Sequence, residues 1–213
     1  MAMMGIPSVY AGTGGTLDGR LLAAALQGDA SAVHALLAQG ANKEARDGSG
    51  ATALLIATHN NHVAAAKELI SAGADVNAQD RMQDSPYLYA GARGHNEILK
   101  LTLAHGADLK STNRYGGTAL IPAAERGHVQ TVRILIAAGV DVNHINNLHW
   151  TALMEAIVLS NGGPQHVEIV RQLVDAKADV HLADAQGVTP LQHARQRGYQ
   201  QIEEILLRAG AQR

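Results

Sequence analysis

The segment Thr189-Pro190-Leu191-Gln192-His193-Ala194 reads as the start of a helix. A threonine hydroxyl can accept hydrogen bonds from the free N–H groups of a first helical turn, and proline is tolerated at the first helical position. Related segments recur upstream in one register. Their cap residues are Thr52, Ser85, Thr118, Thr151 and Thr189, and their alanines are Ala57, Ala90, Ala123, Ala156 and Ala194. The sequence therefore contains an internal repeat.

The period of the repeat is 33 residues, since Gly40, Gly73, Gly106 and Gly139 each follow the one before at that spacing, and one later step is 38 residues long. Within a period, the capped helix is followed by a Gly-His break and by a second helix with an apolar i, i+3, i+4, i+7 stripe. The rest of each period is rich in turn formers and predicts an extended finger. Each repeat is thus a helix–turn–helix unit followed by a finger.

A 33-residue repeat that starts Thr-Pro-Leu-x-x-Ala and continues with Gly-His and Gly-Ala-Asp-Val-Asn resembles the ankyrin repeat. The resemblance implies an all-α solenoid of stacked helix-turn-helix units with β-hairpin-like fingers. It also implies one ankyrin-repeat domain over residues 16–213. Residues 1–15 carry no Lys or Arg and no apolar block, and we interpret them as a flexible lead-in. The stretch from Asn113 to Leu120 is similar to bacterial members of the family. Six repeats are expected, at about 16–46, 47–79, 80–112, 113–145, 146–183 and 184–213.

Some positions depart from the repeat pattern. Gln83 and His149 stand where other fingers have glycine, and Lys177 stands where glycine ends a second helix. These positions need a left-handed backbone or a local rearrangement. Pro122 follows the cap Thr118 by four residues, which predicts a tight and distorted helix start.

The longer fifth repeat carries its extra residues between its two helices, around Ser160-Asn161-Gly162-Gly163-Pro164. Surface loops accept added length at little cost in free energy. We interpret the segment as a tolerated insertion, and a second contact with a partner is the alternative.

The composition excludes several classes of function. Lys and Arg number 17 against 19 Asp and Glu, so the formal charge of −2 does not favour general nucleic-acid binding. The absence of cysteine excludes disulfides, thiolate metal sites and cysteine nucleophiles. Charged and turn-forming residues interrupt every apolar stretch well before the roughly 20 residues of a membrane span. The compartment stays open, with the cytoplasm as the default and the periplasm as the alternative.

We predict no catalytic residue, no cofactor and no metal site, because the sequence holds no P-loop, G-x-S-x-G or H-E-x-x-H motif. Histidine is abundant, but His62, His95, His128 and His166 occupy one position of the repeat. The resemblance implies hydrogen bonds at the helix junction for that position. A metal site that includes His59, His144 and His149 is the alternative.

Ankyrin arrays bind other proteins through a concave surface of finger tips and inner helices. The resemblance therefore implies a monomeric, non-catalytic scaffold for protein–protein interaction. In repeats three to five the expected surface collects aromatic, apolar and arginine residues, which dominate interface energetics. The candidate partner-binding residues are Arg81, Met82, Tyr89, Arg93, Arg114, Tyr115, Arg126, Leu148, His149 and Trp150.

Alternatives stay open for these residues and for the function. Trp150 and Tyr115 could pack finger against finger instead of contacting a partner. The arginines could attract a partner with an acidic surface, or they could be solvated charges in weak pairs. The competing functions are a structural or protective accessory protein for an enzyme or envelope component, without a defined hot spot, and a metal- or small-molecule-dependent enzyme.

Overall fold

The computed structural model describes residues 15–212, so the predicted lead-in up to residue 14 lies outside the described residues. This part of the chain is helical, and its β pairing is limited to an isolated bridge between Arg46 and Thr52. The predicted all-α fold is confirmed. The helices are α1 Leu17–Gln27, α2 Ala30–Ala38, α3 Ala53–His59, α4 Val63–Ser71, α5 Pro86–Arg93, α6 Asn96–Ala104, α7 Leu120–Glu125, α8 Val129–Ala138, α9 Ala152–Val158, α10 Pro164–Asp175, α11 Pro190–Gln196 and α12 Gln200–Arg208.

The described residues divide into two compact units. Unit 1 comprises residues 15–90 and 97–107, and unit 2 comprises residues 91–96 and 108–212. In unit 1, α1 packs against α2 and α3, and α4 packs against the same two helices. In unit 2 the inner helices α7, α9 and α11 pack in succession, and the outer helices α8, α10 and α12 do the same. Within each unit, neighbouring repeats therefore bury their apolar faces against one another.

Hydroxyl caps start most of the inner helices, as the sequence predicts. The side chains of Thr52, Ser85, Thr151 and Thr189 each accept the N–H of the residue three positions later, at 3.1 to 3.3 Å. At Thr189 the cap is reciprocal, because the Gln192 side chain accepts the Thr189 N–H at 2.8 Å.

Repeat four starts its inner helix differently. Pro122 has no N–H to donate to the carbonyl of Thr118, and Ile121 donates to that carbonyl instead, at 3.3 Å. Helix α7 begins only at Leu120, and Ala119 before it has no side-chain cap. The distorted start predicted from Pro122 is confirmed.

The core is built from small and medium-sized aliphatic side chains, together with the fully buried Tyr87. In unit 2 a methyl group added at Gly91 would lie 2.8 Å from the Cβ of Ala119, so the backbones approach closely at this point. Alanine and glycine are therefore required where successive inner helices pack.

Left-handed backbone occurs where the sequence requires it. Gln83 and His149 both have φ of 61°, and Lys177 has φ of 70°. An L-residue with a side chain costs about 1–2 kcal/mol in this conformation. These three residues therefore replace glycine without a rearrangement of the turn.

The histidines that follow the helix junction bond to the preceding repeat. In unit 1, Nε2 of His62 donates to the carbonyl of Leu26 at 3.1 Å, and in unit 2 Nε2 of His166 donates to the carbonyl of Glu125 at 2.8 Å. This supports the structural role that the sequence analysis gave to that position. None of the helices in the described part of the chain is long and apolar enough to cross a membrane.

Candidate functional site

Each finger turn is organised by one side-chain oxygen. The Oδ1 atom accepts the backbone N–H groups two and four residues later, at 2.8 to 3.1 Å. Sequence analysis did not single out this position, although its 33-residue spacing was visible. The residues are Asp47, Asp80, Asn113, Asn146 and Asp184. These hydrogen bonds fix the backbone of each turn and thereby the positions from which the tip side chains project.

In unit 2 the tips of repeats four and five are joined by their backbones. The N–H of Asn147 donates to the carbonyl of Tyr115 at 3.0 Å. The side chains of Tyr115 and Leu148 are each 53% exposed, and the Arg114 guanidinium lies 4.8 Å from the centroid of the Tyr115 ring. We call Arg114, Tyr115, Leu148, His149 and Trp150 the finger patch. It brings five of the sequence-predicted residues onto two adjacent fingers.

Two residues of the finger patch are constrained by their own turn. The N–H of Trp150 donates to Oδ1 of Asn146 at 3.1 Å, its carbonyl accepts the N–H of Asn146 at 3.0 Å, and its side chain is half-buried. His149 is exposed with a left-handed backbone. A further apolar side chain, Ile145, is 47% exposed just before Asn146. Sequence analysis missed Ile145, because the repeat pattern does not indicate which way this residue faces.

The arginines of unit 2 are not equivalent. Nη1 of Arg126 donates to the carbonyl of Ala92 at 2.7 Å, so this guanidinium supports the protein's own backbone. Burial lowers the pKa of His128 below its ordinary value, and the charges of Arg126 and Arg93 act in the same direction. Arg93 and Arg114 are exposed. The structure thus gives Arg126 a structural contact that its position in the sequence did not indicate.

Unit 1 carries the remaining predicted residues. Met82 is 50% exposed beside the exposed Arg81, whose backbone N–H donates to the carbonyl of Ser49 at 3.1 Å. The ring of Tyr89 is half-buried, with its centroid 4.3 Å from that of His59 and the two planes at 59°. Arg81 and Met82 therefore face solvent, whereas Tyr89 packs within unit 1.

The histidines considered as metal ligands have other contacts. His59 packs on Tyr89, and Nε2 of His144 donates to the carbonyl of Gly116 at 2.7 Å. Between residues 15 and 212, no group of three or more His, Asp or Glu side chains is placed to hold a metal ion. The contact of His144 joins the finger of repeat five to the finger of repeat four.

A buried carboxyl group is hydrogen-bonded to the base of the finger of repeat five. Glu155 is 5% exposed, and its Oε1 accepts a hydrogen bond from Nδ2 of Asn146 at 2.8 Å. Burial and the nearby charge of Glu125 raise the pKa of Glu155 to about 7, although the Asn146 bond and Arg126 act in the opposite direction. The bond to Glu155 also orients the Asn146 amide, so that Oδ1 faces the finger.

In repeat six a different pair of side chains supports the base of the finger. Nε2 of His193 donates to Oδ2 of Asp184 at 2.7 Å, and this bond lowers the pKa of Asp184. In both repeats the supporting residue lies nine positions after the Asn or Asp of the finger. The two members of each pair are complementary: an amide donor meets a carboxyl group in repeat five, and an imidazole donor meets a carboxylate in repeat six.

A carboxyl group with a pKa near 7 beside a second glutamate is a feature that active sites share. General acid or base catalysis requires contact with a substrate, however. The carboxyl group of Glu155 is buried and bonded to Asn146. Its surroundings therefore support a structural role.

Paired short helices, hydroxyl caps and turns closed by Asn or Asp define a helical repeat protein with fingers. A family model described as "Ankyrin repeats (3 copies)" matches residues 21–113 and 87–184. The chain belongs to the ankyrin-repeat family. Ankyrin repeats are generally protein–protein interaction modules, and the family generally consists of non-catalytic scaffolds.

Solved structures and a curated protein agree with this assignment. The chain is similar to an ankyrin repeat domain from Acinetobacter baumannii AYE, with 62% identity, a TM-score of 0.88 and coverage of 90% of this chain and 98% of that one. It is also similar to the ankyrin repeat protein EF0377, with 44% identity, a TM-score of 0.86 and coverage of 89% and 97%. YahD of Escherichia coli (strain K12), named as an ankyrin repeat protein, is 47% identical over 58 residues, which are 27% of this chain and 29% of that protein. The chain thus spans less than a third of the length of this curated relative.

The raised pKa of Glu155 predicts a specific dependence of stability on pH. The folded chain binds this proton more tightly than the unfolded chain, so the group's contribution is complete below pH 4.5 and is lost as pH rises to about 7. We expect Glu155→Gln to gain about 3 kcal/mol relative to wild type across this range. Urea unfolding at a series of pH values measures the difference. Glu204→Gln, at an exposed carboxylate, should follow the wild-type curve, and a Glu155→Gln curve parallel to wild type would contradict the prediction.

The pairing of Asn146 with Glu155 predicts that aspartate at position 146 destabilises the fold, whereas aspartate at position 113 is tolerated. Above pH 7, Asn146→Asp places a carboxylate against Glu155 and removes the bonded amide, so we expect a loss of about 2 kcal/mol. Asn113→Asp keeps the turn acceptor and should change stability by about 0.5 kcal/mol or less. Adding Glu155→His to Asn146→Asp recreates the repeat-six pair and should restore stability. Equal urea midpoints for the two single variants would refute the pairing.

Proposed function

We propose that this chain binds another protein through the finger tips of its repeats and catalyses no reaction. The observation that carries the proposal is the exposure of Tyr115 and Leu148 on adjacent fingers joined by the Asn147 bond to Tyr115. More than half of each of these side chains is exposed to solvent instead of being buried in the core of unit 2. Tyrosine, tryptophan and arginine dominate the energetics of protein interfaces, and the finger patch contains all three.

Rigid support of the finger patch favours binding. Oδ1 of Asn113 and Oδ1 of Asn146 accept the backbone N–H groups of the turns in repeats four and five. His144 joins the fingers of these two repeats. A partner therefore meets side chains whose backbone is already ordered, and less conformational entropy is lost on association. Binding by preorganised complementarity needs no movement of the fingers.

The charge of the exposed arginines favours a partner with an acidic surface. Arg114 lies in the finger patch and Arg93 is exposed in unit 2, while Arg81 is exposed in unit 1. Complementary charge raises the association rate more than the final affinity. Arg126 is left out of the proposed contact set because its guanidinium is bonded to Ala92.

The finger patch can be tested by removing its two most exposed side chains. We expect the immobilised wild-type chain to retain a protein from a lysate of its source organism that Tyr115→Ala/Leu148→Ala does not retain. The loss of even one hot-spot side chain costs about 2 kcal/mol or more, so the purified partner should bind the double variant at least about thirtyfold more weakly. Calorimetric titration measures the dissociation constants.

Leu159→Ala is the matched control, because Leu159 is 48% exposed at the end of α9 and outside the fingers. It should bind the partner as wild type does. If the double variant also retains the partner at full affinity, the finger patch is not the binding face. Diffuse association, as expected of an accessory protein without a hot spot, would then be favoured.

His149 provides a test in which stability and binding change in opposite directions. His149→Gly relieves a left-handed side chain and should stabilise the chain by about 0.5–1 kcal/mol, after the entropy that glycine adds to the unfolded state. It should also weaken binding of the purified partner. Lys177→Gly should give the same stability gain without a change in affinity, since Lys177 lies outside the fingers. Unchanged affinity in His149→Gly would remove this residue from the proposed contact set.

A further inference from the structure

The insertion of repeat five forms an ordered loop around the single Asn-Gly pair of the sequence, Asn161-Gly162. The N–H of Gly162 donates to Oγ of Ser160 at 3.1 Å, and the N–H of Gly163 donates to Oδ1 of Asn161 at 2.9 Å. The hydroxyl of Tyr199 donates to the carbonyl of Ser160 at 2.7 Å. A Cβ on Gly162 would lie 2.5 Å from the Tyr199 ring, so only glycine fits here. The loop is therefore fixed by its own polar groups and by the next repeat.

We propose that Asn161 is a self-modification site, at which the folded chain converts its own asparagine to aspartate or isoaspartate. The backbone nitrogen of Gly162 attacks Cγ of Asn161 and forms a carbon–nitrogen bond that closes a five-membered succinimide. The side-chain amide leaves as ammonia. The proton lost by Gly162 passes to water, and ammonia takes up a proton from water. Hydrolysis then opens the ring with one water molecule, so the net change is asparagine plus water to an acid plus ammonia.

Two contacts in the loop assist this reaction. The hydroxyl of Ser160 donates its own hydrogen to the carbonyl of Ile157 at 3.4 Å, which leaves a lone pair on Oγ for the N–H of Gly162. Oγ thus accepts a hydrogen bond from the attacking nitrogen and polarises its N–H bond, while the proton itself is lost to water. The N–H of Gly163 faces Oδ1, where negative charge develops when Cγ is attacked. Glycine at position 162 has no side chain of its own to hinder the attacking nitrogen.

The product would change the surroundings of the loop. A carboxylate at position 161 adds a negative charge two residues before Gly163, the N-cap of α10, where it interacts favourably with the positive end of the helix dipole. Isoaspartate adds a backbone atom between residues 161 and 162, which lengthens the loop between the Gly162 bond to Ser160 and the rest of repeat five. The loss of ammonia makes the modification irreversible, and the longer backbone alters the loop that Tyr199 of repeat six contacts.

The test follows the purified full chain over time at neutral pH. Peptide mass spectrometry measures the replacement of amide by acid at each asparagine, and chromatography separates aspartate from isoaspartate. We expect Asn161 to be converted faster than the other nine asparagines, and faster than the same asparagine in a synthetic peptide of residues 158–166. Ser160→Ala should lower the rate about tenfold, which corresponds to about 1.4 kcal/mol of barrier. Ser160→Thr keeps the hydroxyl and should restore the rate.

Tyr199→Phe separates loop order from serine chemistry, since it removes the bond to the Ser160 carbonyl and keeps the Ser160 hydroxyl. We expect slower conversion in this variant, because the reactive geometry depends on the anchored loop. Two results would overturn the proposal. One is an Asn161 that stays intact in the folded chain while the peptide is converted. The other is equal rates in wild type and Ser160→Ala.

Discussion

One side-chain oxygen at the base of each finger fixes the surface that this chain presents. An Asn or Asp oxygen satisfies two backbone N–H groups of each turn, and without it those donors would need water or a different turn. The second polar atom of the same side chain needs its own partner where the finger base is buried. Asn146 finds Glu155 and Asp184 finds His193, so the choice between amide and carboxylate depends on a residue nine positions later. The inner helix and the finger tip are thereby coupled within one repeat.

The sequence best predicts the features that recur in every repeat for the same structural reason. Hydroxyl caps, small residues at the helix contacts and left-handed positions recur at a fixed spacing, and departures at Pro122 and Lys177 produce the local changes expected from their chemistry. Contacts that belong to one repeat are not predictable in this manner. The bond from Arg126 to Ala92 spans 34 residues, and the burial of Glu155 depends on the packing around α9. The sequence gives no sign that Arg126 and Glu155 have these structural roles.

The candidate site was predictable to the extent that the repeat places it. The tip residues Tyr115 and Leu148 are exposed because the turn geometry leaves them no core to enter. The repeat does not determine which tip side chains pack on neighbours, and Tyr89 illustrates this by stacking on His59. A left-handed side chain does not identify function by itself either, since Lys177 adopts it outside the fingers. Strain becomes informative at His149 because exposure, position in a finger and aromatic neighbours coincide there.

The insertion shows how a repeat array absorbs a change in length. Val158 occupies the position in repeat five that Glu125 occupies in repeat four, where the carbonyl accepts from His166 of the next repeat. After the inserted loop, Tyr199 stands where repeats two to five have histidine, and it bonds to the carbonyl of Ser160, two residues beyond Val158. A tyrosine is longer than a histidine and reaches an acceptor that the insertion has moved. The same anchor orders the loop around Asn161 and Gly162, so the contact that accommodates the insertion also fixes the positions of those two residues.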